Sequence, residues 1–144
     1  MDVGSGGGAP GIPLAHALPE SEFVLLEAQE RKCAFLRMHA PANVRVVWAR
    51  AEEQPVDWAG CAVAKALAPP PVAAEWCLPL VRAGGAAVLW VGPSAEAESV
   101  ARVADRLAAT LEDAPAGFFV LRKHGPTPEG FPRRVGIARK RPLA

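Results

Sequence analysis

The chain has 144 residues, of which 51% are hydrophobic and 22% are charged, and its formal net charge at pH 7 is +1. This length supports one hydrophobic core and leaves little room for a second, so we predict a single domain over residues 1–144. The small net charge gives no global indication of a nucleic-acid-binding protein. The well-separated Cys33, Cys61 and Cys77 argue against a disulfide framework and against a zinc-ligand pattern.

The sequence shows no secretory leader and no uninterrupted apolar stretch of the length that spans a bilayer. We therefore expect a soluble, cytoplasmic protein that acts as a monomer, binds no metal and does not contact a membrane.

The first half of the chain follows a glycine-rich opening with alternating helical and strand patterns. A proline near its start suits the first helix, and apolar runs predict buried strands. The predicted elements are a helix over Gly11–Leu18, a strand over Phe23–Leu26 that ends on Glu27, an amphipathic helix over Gln29–Met38 and a strand over Val44–Trp48.

The second half continues this alternation. An alanine-rich strand is expected first, although alanine has low strand propensity. The predicted elements are a strand over Cys61–Ala64, a helix over Pro71–Val81, a turn at Gly84-Gly85, a strand over Ala86–Val91, a helix over Glu96–Leu111, and a late hairpin-like pair formed by Phe118–Leu121 and Val135–Ile137. This order predicts an α/β fold with a mainly parallel, doubly wound sheet and helices on both faces.

The opening segment Gly4-Ser5-Gly6-Gly7-Gly8 places residues without a Cβ where a strand should turn into a helix, so a ligand can approach the backbone closely. The same composition is also typical of a flexible linker. Glu27 ends the next strand about 20 residues later, a position from which a carboxylate can bind the hydroxyls of a nucleotide ribose. The spacing fits both a dinucleotide and an adenosyl cofactor.

Basic residues are concentrated between Arg122 and Arg141, where Glu129 is the single acid. Such a cluster indicates contact with RNA phosphates, and its alternative is a solvated terminus. Phe131, Arg133 and Arg134 are candidates to hold an unstacked base. The basic residues of this stretch are Arg122, Lys123, Arg133, Arg134, Arg139, Lys140 and Arg141.

The glycine-rich opening and its unusual Pro10-Gly11-Ile12-Pro13-Leu14 continuation closely resemble the cofactor motif of the RsmG (GidB) family, and the likeness extends over nearly the whole chain. Further resembling segments are Leu25-Leu26-Glu27, Arg50-Ala51-Glu52-Glu53, the stretch from Ala64 to Pro69, Leu78-Pro79-Leu80, the stretch from Phe131 to Gly136, and the stretch from Lys140 to Leu143. The resemblance implies a Rossmann-like class I methyltransferase that transfers a methyl group from S-adenosylmethionine to N7 of a guanine in a decoding-region loop of 16S rRNA, as naked RNA or within the small ribosomal subunit.

The resemblance also implies roles for individual residues and no catalytic side chain. In the glycine loop the cofactor-binding positions are Gly4, Gly6, Gly8 and Ala9. Glu27 stands where the family usually has an aspartate against the ribose, and Ala51 and Glu52 flank the adenine. Lys65 replaces a usual arginine near the cofactor, and Val91 replaces a usual lysine, so charge or bidentate geometry is lost. The implied RNA-binding residues are Arg133, Arg134, Arg139, Lys140 and Arg141.

The family has a helical segment and a full first strand before the motif with which this chain begins at Met1-Asp2. We therefore expect a fragment, a mis-assigned start or a partner piece, with the first strand largely missing and apolar surface exposed beside it. Two alternatives to methyl transfer follow: a non-catalytic, truncated Rossmann-like scaffold, and a nucleotide-dependent oxidoreductase.

Overall fold

The computed structural model describes residues 1–144 and contains one seven-stranded sheet in the order β3-β2-β1-β4-β5-β7-β6. Its strands are β1 Asp2–Val3, β2 Phe23–Glu27, β3 Val44–Trp48, β4 Ala59–Lys65, β5 Val81–Trp90, β6 Ala109–Glu112 and β7 Phe118–Lys123. All neighbouring pairs are parallel except those made by β7, which runs antiparallel to both β5 and β6.

Five helices cover the sheet: α1 Gly11–Ala17, α2 Glu30–His39, α3 Pro70–Cys77, α4 Ala97–Arg106 and α5 Ile137–Lys140. The first two contact β2 and β3, whereas α3 and α4 contact each other and the strands from β4 to β6. Every crossover between parallel strands is expected to be right-handed, and the chain moves along the sheet in one direction from β1 to β3 and in the other from β4 onwards. The two groups of helices therefore lie on opposite faces. The predicted α/β class and doubly wound sheet are confirmed.

Burial explains why the alanine-rich β4 forms despite its low strand propensity. Ala62 and Ala64 are 0% and 2% exposed, and they lie in register with Ala87 and Leu89 of β5. Small side chains at these positions let helix α3 pack closely on the sheet, so tertiary packing outweighs the intrinsic preference of alanine. The predicted elements from Gly11 to Trp48 agree with the structure to within one residue at each end.

The predicted helix over Pro71–Val81 is too long, and the predicted turn at Gly84-Gly85 is wrong. The helix ends at Cys77 and gives way to a 3-10 turn over Leu78–Leu80, because Pro79 has no N–H for a continuing α-helix. Gly84-Gly85 instead lies inside β5. A Cβ on Gly85 would lie 2.4 Å from the carbonyl oxygen of Gly60, so close approach of the two strands requires this glycine.

The predicted helix over Glu96–Leu111 is also too long. Helix α4 ends at Arg106, Ala108 adopts a left-handed φ of 53°, and the chain continues as β6. Strand β6 is the hairpin partner of β7, so the expected partner strand over Val135–Ile137 is wrong. Gly136, with φ of 80°, begins the short helix α5 there.

The two-residue strand β1 bridges the halves of the sheet. Asp2 is in register with both Leu25 of β2 and Val63 of β4. The two residues of β1 thus pair with much longer neighbours, since β2 has five residues and β4 has seven. Beyond Met1, a cavity of about 950 Å³ is lined mainly by apolar residues, among them Phe23 and Trp58.

Asp2 also fixes the entry to helix α1. It is 1% exposed, and its Oδ2 accepts the N–H of Gly11 at 2.9 Å. A Cβ on Gly11 would lie 2.3 Å from Leu25 Cδ2 and 2.7 Å from that carboxylate oxygen, so the glycine allows helix and strand to meet. Burial raises the pKa of Asp2 to about 6, against the opposing effect of the Gly11 hydrogen bond.

At the opposite end of the sheet, a buried lysine joins four segments. Lys123 of β7 is 0% exposed, and its ammonium donates to Asp57 Oδ1, Thr127 Oγ1 and the carbonyl oxygens of Leu78 and Val81 at 2.9 to 3.0 Å. Burial lowers the pKa of Lys123, and Asp57 opposes that shift. Because every ammonium hydrogen has an acceptor, the charge is tolerated in the core.

We expect Lys123→Ala to lower the free energy of unfolding by about 3 to 5 kcal/mol, because it leaves two buried carbonyls without their donor and removes the cation paired with Asp57, which keeps its hydrogen bonds from Thr127. The neighbouring Arg122→Ala is the matched control, since the exposed pair of Arg122 with Glu112 contributes little. Urea unfolding of the two variants measures the difference, and equal midpoints would contradict the role given to Lys123.

We expect Asp2→Asn to remove a specific pH dependence of stability. The pKa of Asp2 in the folded protein, about 6, lies above the ordinary aspartate pKa of 3.8, which applies to the unfolded chain. The native state therefore holds the proton more tightly than the unfolded state, and stability falls as pH rises from about 4 to 6. The loss amounts to about 2 to 3 kcal/mol in the cofactor-free protein. Unfolding of both chains at pH 4 and pH 7 measures it, and a constant difference between them would contradict the assignment.

Candidate functional site

The strand order reverses between β1 and β4, and in an open parallel sheet such a reversal leaves a crevice beyond the carboxyl ends of the strands. We call the cavity found there the switch-point cleft. It is lined by Val3, Gly4, Leu26, Ala28, Ala49, Arg50, Ala51, Glu52, Leu67 and Trp76.

The glycine loop is folded back on the end of β2 rather than extended as a linker. The N–H groups of Gly4 and Ser5 donate to the carbonyl of Leu26 at 2.8 and 3.1 Å. Gly4 and Gly6 have φ of 71° and 55°, a region that side chains with a Cβ rarely adopt. A Cβ on Gly4 would lie 2.3 Å from Leu67 Cδ1, so the absence of a side chain at Gly4 lets Leu67 pack directly against the loop.

Glu27 lies at the end of β2, beneath the loop, and is 6% exposed. Its Oε2 accepts the N–H of Gly6 at 2.9 Å, and its Oε1 accepts the N–H of Gln29 at 2.8 Å. Each oxygen therefore keeps a further lone pair, and the carboxylate is held in one orientation. This arrangement suits an acceptor for the hydroxyls of a ribose.

The wall opposite the loop is a 3-10 turn over Ala51–Glu53 that follows β3. The carboxylate of Glu53 accepts the N–H of Arg50 at 3.0 Å and closes the start of this turn. Ala51 is buried, and Glu52 Oε1 accepts the N–H of Gly136 at 3.1 Å. Ala51 and Glu52 thus lie side by side in this wall of the cleft.

The structure brings some of the predicted cofactor residues together and separates others. Gly4, Ala51 and Glu52 line the cleft, whereas Glu27 and Gly6, which are joined by a hydrogen bond, are not among its lining residues. Gly8 packs against Ile12 and Leu36 instead, and Ala9 and Lys65 are exposed outside the cleft lining.

Sequence analysis missed Leu67 and Trp76, both of which line the cleft. Leu67 follows the end of β4, where a cleft-lining residue is expected once the strand order is known. Nothing in the sequence places Trp76 there, because its helix crosses the sheet at an angle that only the fold defines.

The larger cavity beside Met1 is not the candidate site. It lies along the amino-terminal halves of β2 and β4, and none of the glycine-loop residues lines it. Ligands of open parallel sheets bind at the carboxyl ends instead.

Three of the predicted basic residues are engaged in ion pairs. Arg122 pairs with Glu112, Lys123 is buried with Asp57, and Arg133 forms a bidentate pair with the buried Glu75 at 2.5 and 2.6 Å. The guanidinium of Arg133 is thus bonded to Glu75 within the protein and is not free to bind an RNA phosphate. The basic residues of this stretch that are exposed and form no ion pair are Arg134, Arg139, Lys140 and Arg141.

No group of three or more His, Cys, Asp or Glu side chains is arranged to hold a metal ion. None of the helices combines the length and apolar character that crossing a bilayer requires.

Solved structures identify the fold. The TehB-like S-adenosylmethionine-dependent methyltransferase of Corynebacterium glutamicum superposes with a TM-score of 0.64 at 18% identity, over 85% of this chain and 78% of that chain. The 16S rRNA methyltransferase RsmC of T. thermophilus, solved with AdoMet and guanosine, gives a TM-score of 0.65 at 16% identity, over 88% of this chain and 35% of that chain. The fold is the Rossmann-like fold of class I methyltransferases.

Sequence comparison goes further. The family model described as GidB, rRNA small subunit methyltransferase G, matches residues 1–119. The ribosomal RNA small subunit methyltransferase G of Pelotomaculum thermopropionicum is 39% identical over 99% of this chain and 69% of its own length. That of Synechococcus elongatus is 36% identical over 99% of this chain and 68% of its own length.

These matches favour methyl transfer over the oxidoreductase and the inert-scaffold alternatives, and they agree with the resemblance seen in the motifs. The chain therefore belongs to the rRNA small subunit methyltransferase G (GidB, RsmG) family, whose members are S-adenosylmethionine-dependent methyltransferases of ribosomal RNA.

Proposed function

We propose that this chain binds S-adenosylmethionine in the switch-point cleft and directs its methyl group to N7 of a guanine in a decoding-region loop of 16S rRNA. The observation that carries the proposal is the folded glycine loop held against the oriented carboxylate of Glu27 at the reversal of the sheet. Family membership supplies the reaction class.

In this proposal an adenosyl group is held in three places by residues of the cleft and by Glu27 at the end of β2. Glu27 accepts hydrogen bonds from the ribose hydroxyls, Ala51 and Glu52 flank the adenine, Gly4 lines the cofactor, and Gly6 leaves space for the part of the cofactor that passes over the loop. The proposed roles of Gly8 and Ala9 are to shape the loop, and that of Lys65 is to place a positive charge at the end of β4.

S-adenosylmethionine supplies an electrophilic methyl group, which leaves the sulfonium as the sulfur regains its electron pair. The lone pair of guanine N7 forms the new bond, and the positive charge passes to the purine. No proton has to be removed, so the protein needs no general base and its work is positioning and charge stabilisation. Accordingly, His16, His39 and His124 are not among the residues that line the cleft.

The RNA is held, in this proposal, by the exposed basic residues near the carboxyl end of the chain. Arg134, Arg139, Lys140 and Arg141 project from the segment around helix α5, which contacts helix α3 beside the cleft. Charges so placed orient the phosphate backbone without reading the sequence, and the target base must be unstacked to reach the cofactor.

The methylated position can be tested directly with 16S rRNA fragments transcribed with guanosine or with 7-deazaguanosine, which lacks N7. We expect transfer of labelled methyl from S-adenosylmethionine to the first RNA and none to the second. Equal labelling of both RNAs would show that another atom is methylated.

Glu27→Ala should weaken binding of S-adenosylhomocysteine by about 1 to 3 kcal/mol, because the variant lacks the proposed ribose acceptor. Gly6→Val should abolish binding, since a branched side chain would stand at a left-handed φ and in the path of the cofactor. Isothermal titration measures both, with the exposed Glu98→Ala on helix α4 as the control. Native affinity in the Gly6 variant would contradict the proposed use of the loop.

Arg134→Ala and Lys140→Ala should each weaken RNA binding across sequences and reduce the salt slope of the affinity by about 1, as expected for loss of one phosphate contact. Titration of labelled RNA at several salt concentrations measures the slope, and Arg122→Ala serves as the control because that residue pairs with Glu112. An unchanged slope in the Arg134 and Lys140 variants would place the RNA elsewhere.

A further inference from the structure

The last part of the chain folds back over helix α3 and the switch-point cleft. We call the segment from Phe131 to Arg141 the C-terminal clamp. It lies beyond residues 1–119, which the family model matches, although relatives align with 99% of this chain. It is fixed to the body of the protein at one end and contacts the lining of the cleft at the other.

The anchor of the clamp is Arg133. Its Nε and Nη2 donate to the two oxygens of Glu75 at 2.5 and 2.6 Å, and Nη2 also donates to the carbonyl oxygen of Arg141 at 2.9 Å. The Glu75 side chain is 3% exposed. One guanidinium thus joins helix α3 to both ends of the clamp, and the planar fork of arginine is what permits all three bonds.

The other contacts of the clamp go to residues of the cleft lining. The N–H of Gly136 donates to Glu52 Oε1 at 3.1 Å, and Nη2 of Arg139 donates to the carbonyl oxygen of Leu67 at 3.4 Å. The guanidinium of Arg139 also lies 5.3 Å from the centre of the Trp76 ring. Glu52, Leu67 and Trp76 all line the cleft.

We propose that the C-terminal clamp sets the shape of the cofactor cleft and that Arg133 is a positioning residue for cofactor binding. Glu52 belongs to the 3-10 turn over Ala51–Glu53, whose backbone is closed by Glu53, whereas the carboxylate of Glu52 is oriented by the bond from Gly136. Arg133 keeps Gly136 in place through Glu75. This inference rests on the proposed function, because the ligand of the cleft is taken to be the adenosyl cofactor.

Arg133→Lys is the sharpest variant, because it keeps a positive charge near Glu75 and loses the fork. Its matched control is Arg102→Lys, which changes an arginine paired with Glu98 on the exposed face of helix α4. Isothermal titration with S-adenosylhomocysteine should show a dissociation constant raised about fivefold in the Arg133 variant, within the range of coupling between linked sites, and unchanged in the control.

Two further readouts separate positioning from a general loss of stability. In the cofactor-free Arg133 variant, amide hydrogen exchange should accelerate at Gly136 and at Glu53 while the amides of β4 and β5 remain protected. In the methyl-transfer assay, the KM for S-adenosylmethionine should rise while kcat stays near its native value. A merely structural role would instead lower the melting temperature and leave the affinity of the folded protein unchanged.

The outcomes distinguish the two proposals. If the native chain does not bind S-adenosylhomocysteine, the proposed function fails. If the native chain binds and the Arg133 variant binds equally well, the clamp inference is overturned. Should Arg133→Lys fail to fold, Arg139→Ala, which leaves no buried acid unpaired, should still raise the dissociation constant, and native affinity in that variant would equally overturn the inference.

Discussion

The pairing of residues 1–3 with the strands on either side is the constraint on which the rest of the molecule depends. Asp2 and Val3 pair with β2, Met1 and Asp2 bond to β4, and this short segment leads directly into the glycine loop. Because the winding of the chain reverses at this strand, the crevice for a ligand opens there. The buried carboxylate of Asp2 accepts the N–H of the first residue of α1 and so joins that helix to β1. Burial disfavours the charged form of this carboxylate and raises its pKa.

The cleft and its surroundings form one connected structure. Glu27 ties the glycine loop to the end of β2, Glu53 closes the turn after β3, and Glu52 receives the C-terminal clamp. Each contact uses a carboxylate to fix a backbone N–H in a loop that has no regular partner. Positioning of this kind suits a reaction in which the nucleophile needs no base and the protein contributes chiefly by orientation.

Much of the fold could be predicted from the sequence, because the apolar runs of β2 and β3 and the polar segments between them mark the elements from Gly11 to Trp48. The errors occur where tertiary contacts decide. Gly84-Gly85 has the composition of a turn, yet it serves a close approach of strands, and the end of α4 is fixed by pairing of β6 with β7. Neither contact leaves a local pattern in the sequence.

The candidate site divides in the same way. The glycine loop and Glu27 were identified from their spacing, whereas Leu67 and Trp76 come to the cleft through elements whose angles the sequence does not specify. Charge counting was least informative: the basic stretch contains Arg122, Lys123 and Arg133, and each of these pairs with an acid that lies outside the stretch. A cluster of like charge in sequence therefore overstates the charge presented to RNA.

The most direct test of the account is isothermal titration of the 144-residue chain with S-adenosylhomocysteine, with NAD titrated in parallel. We expect saturable binding of S-adenosylhomocysteine and no binding of NAD. In our proposal the loop, Glu27 and the turn after β3 form a site for one adenosyl group and provide no site for a second nucleotide. Binding of NAD alone, or of neither compound, would contradict the assignment of the switch-point cleft as the cofactor site of a methyltransferase.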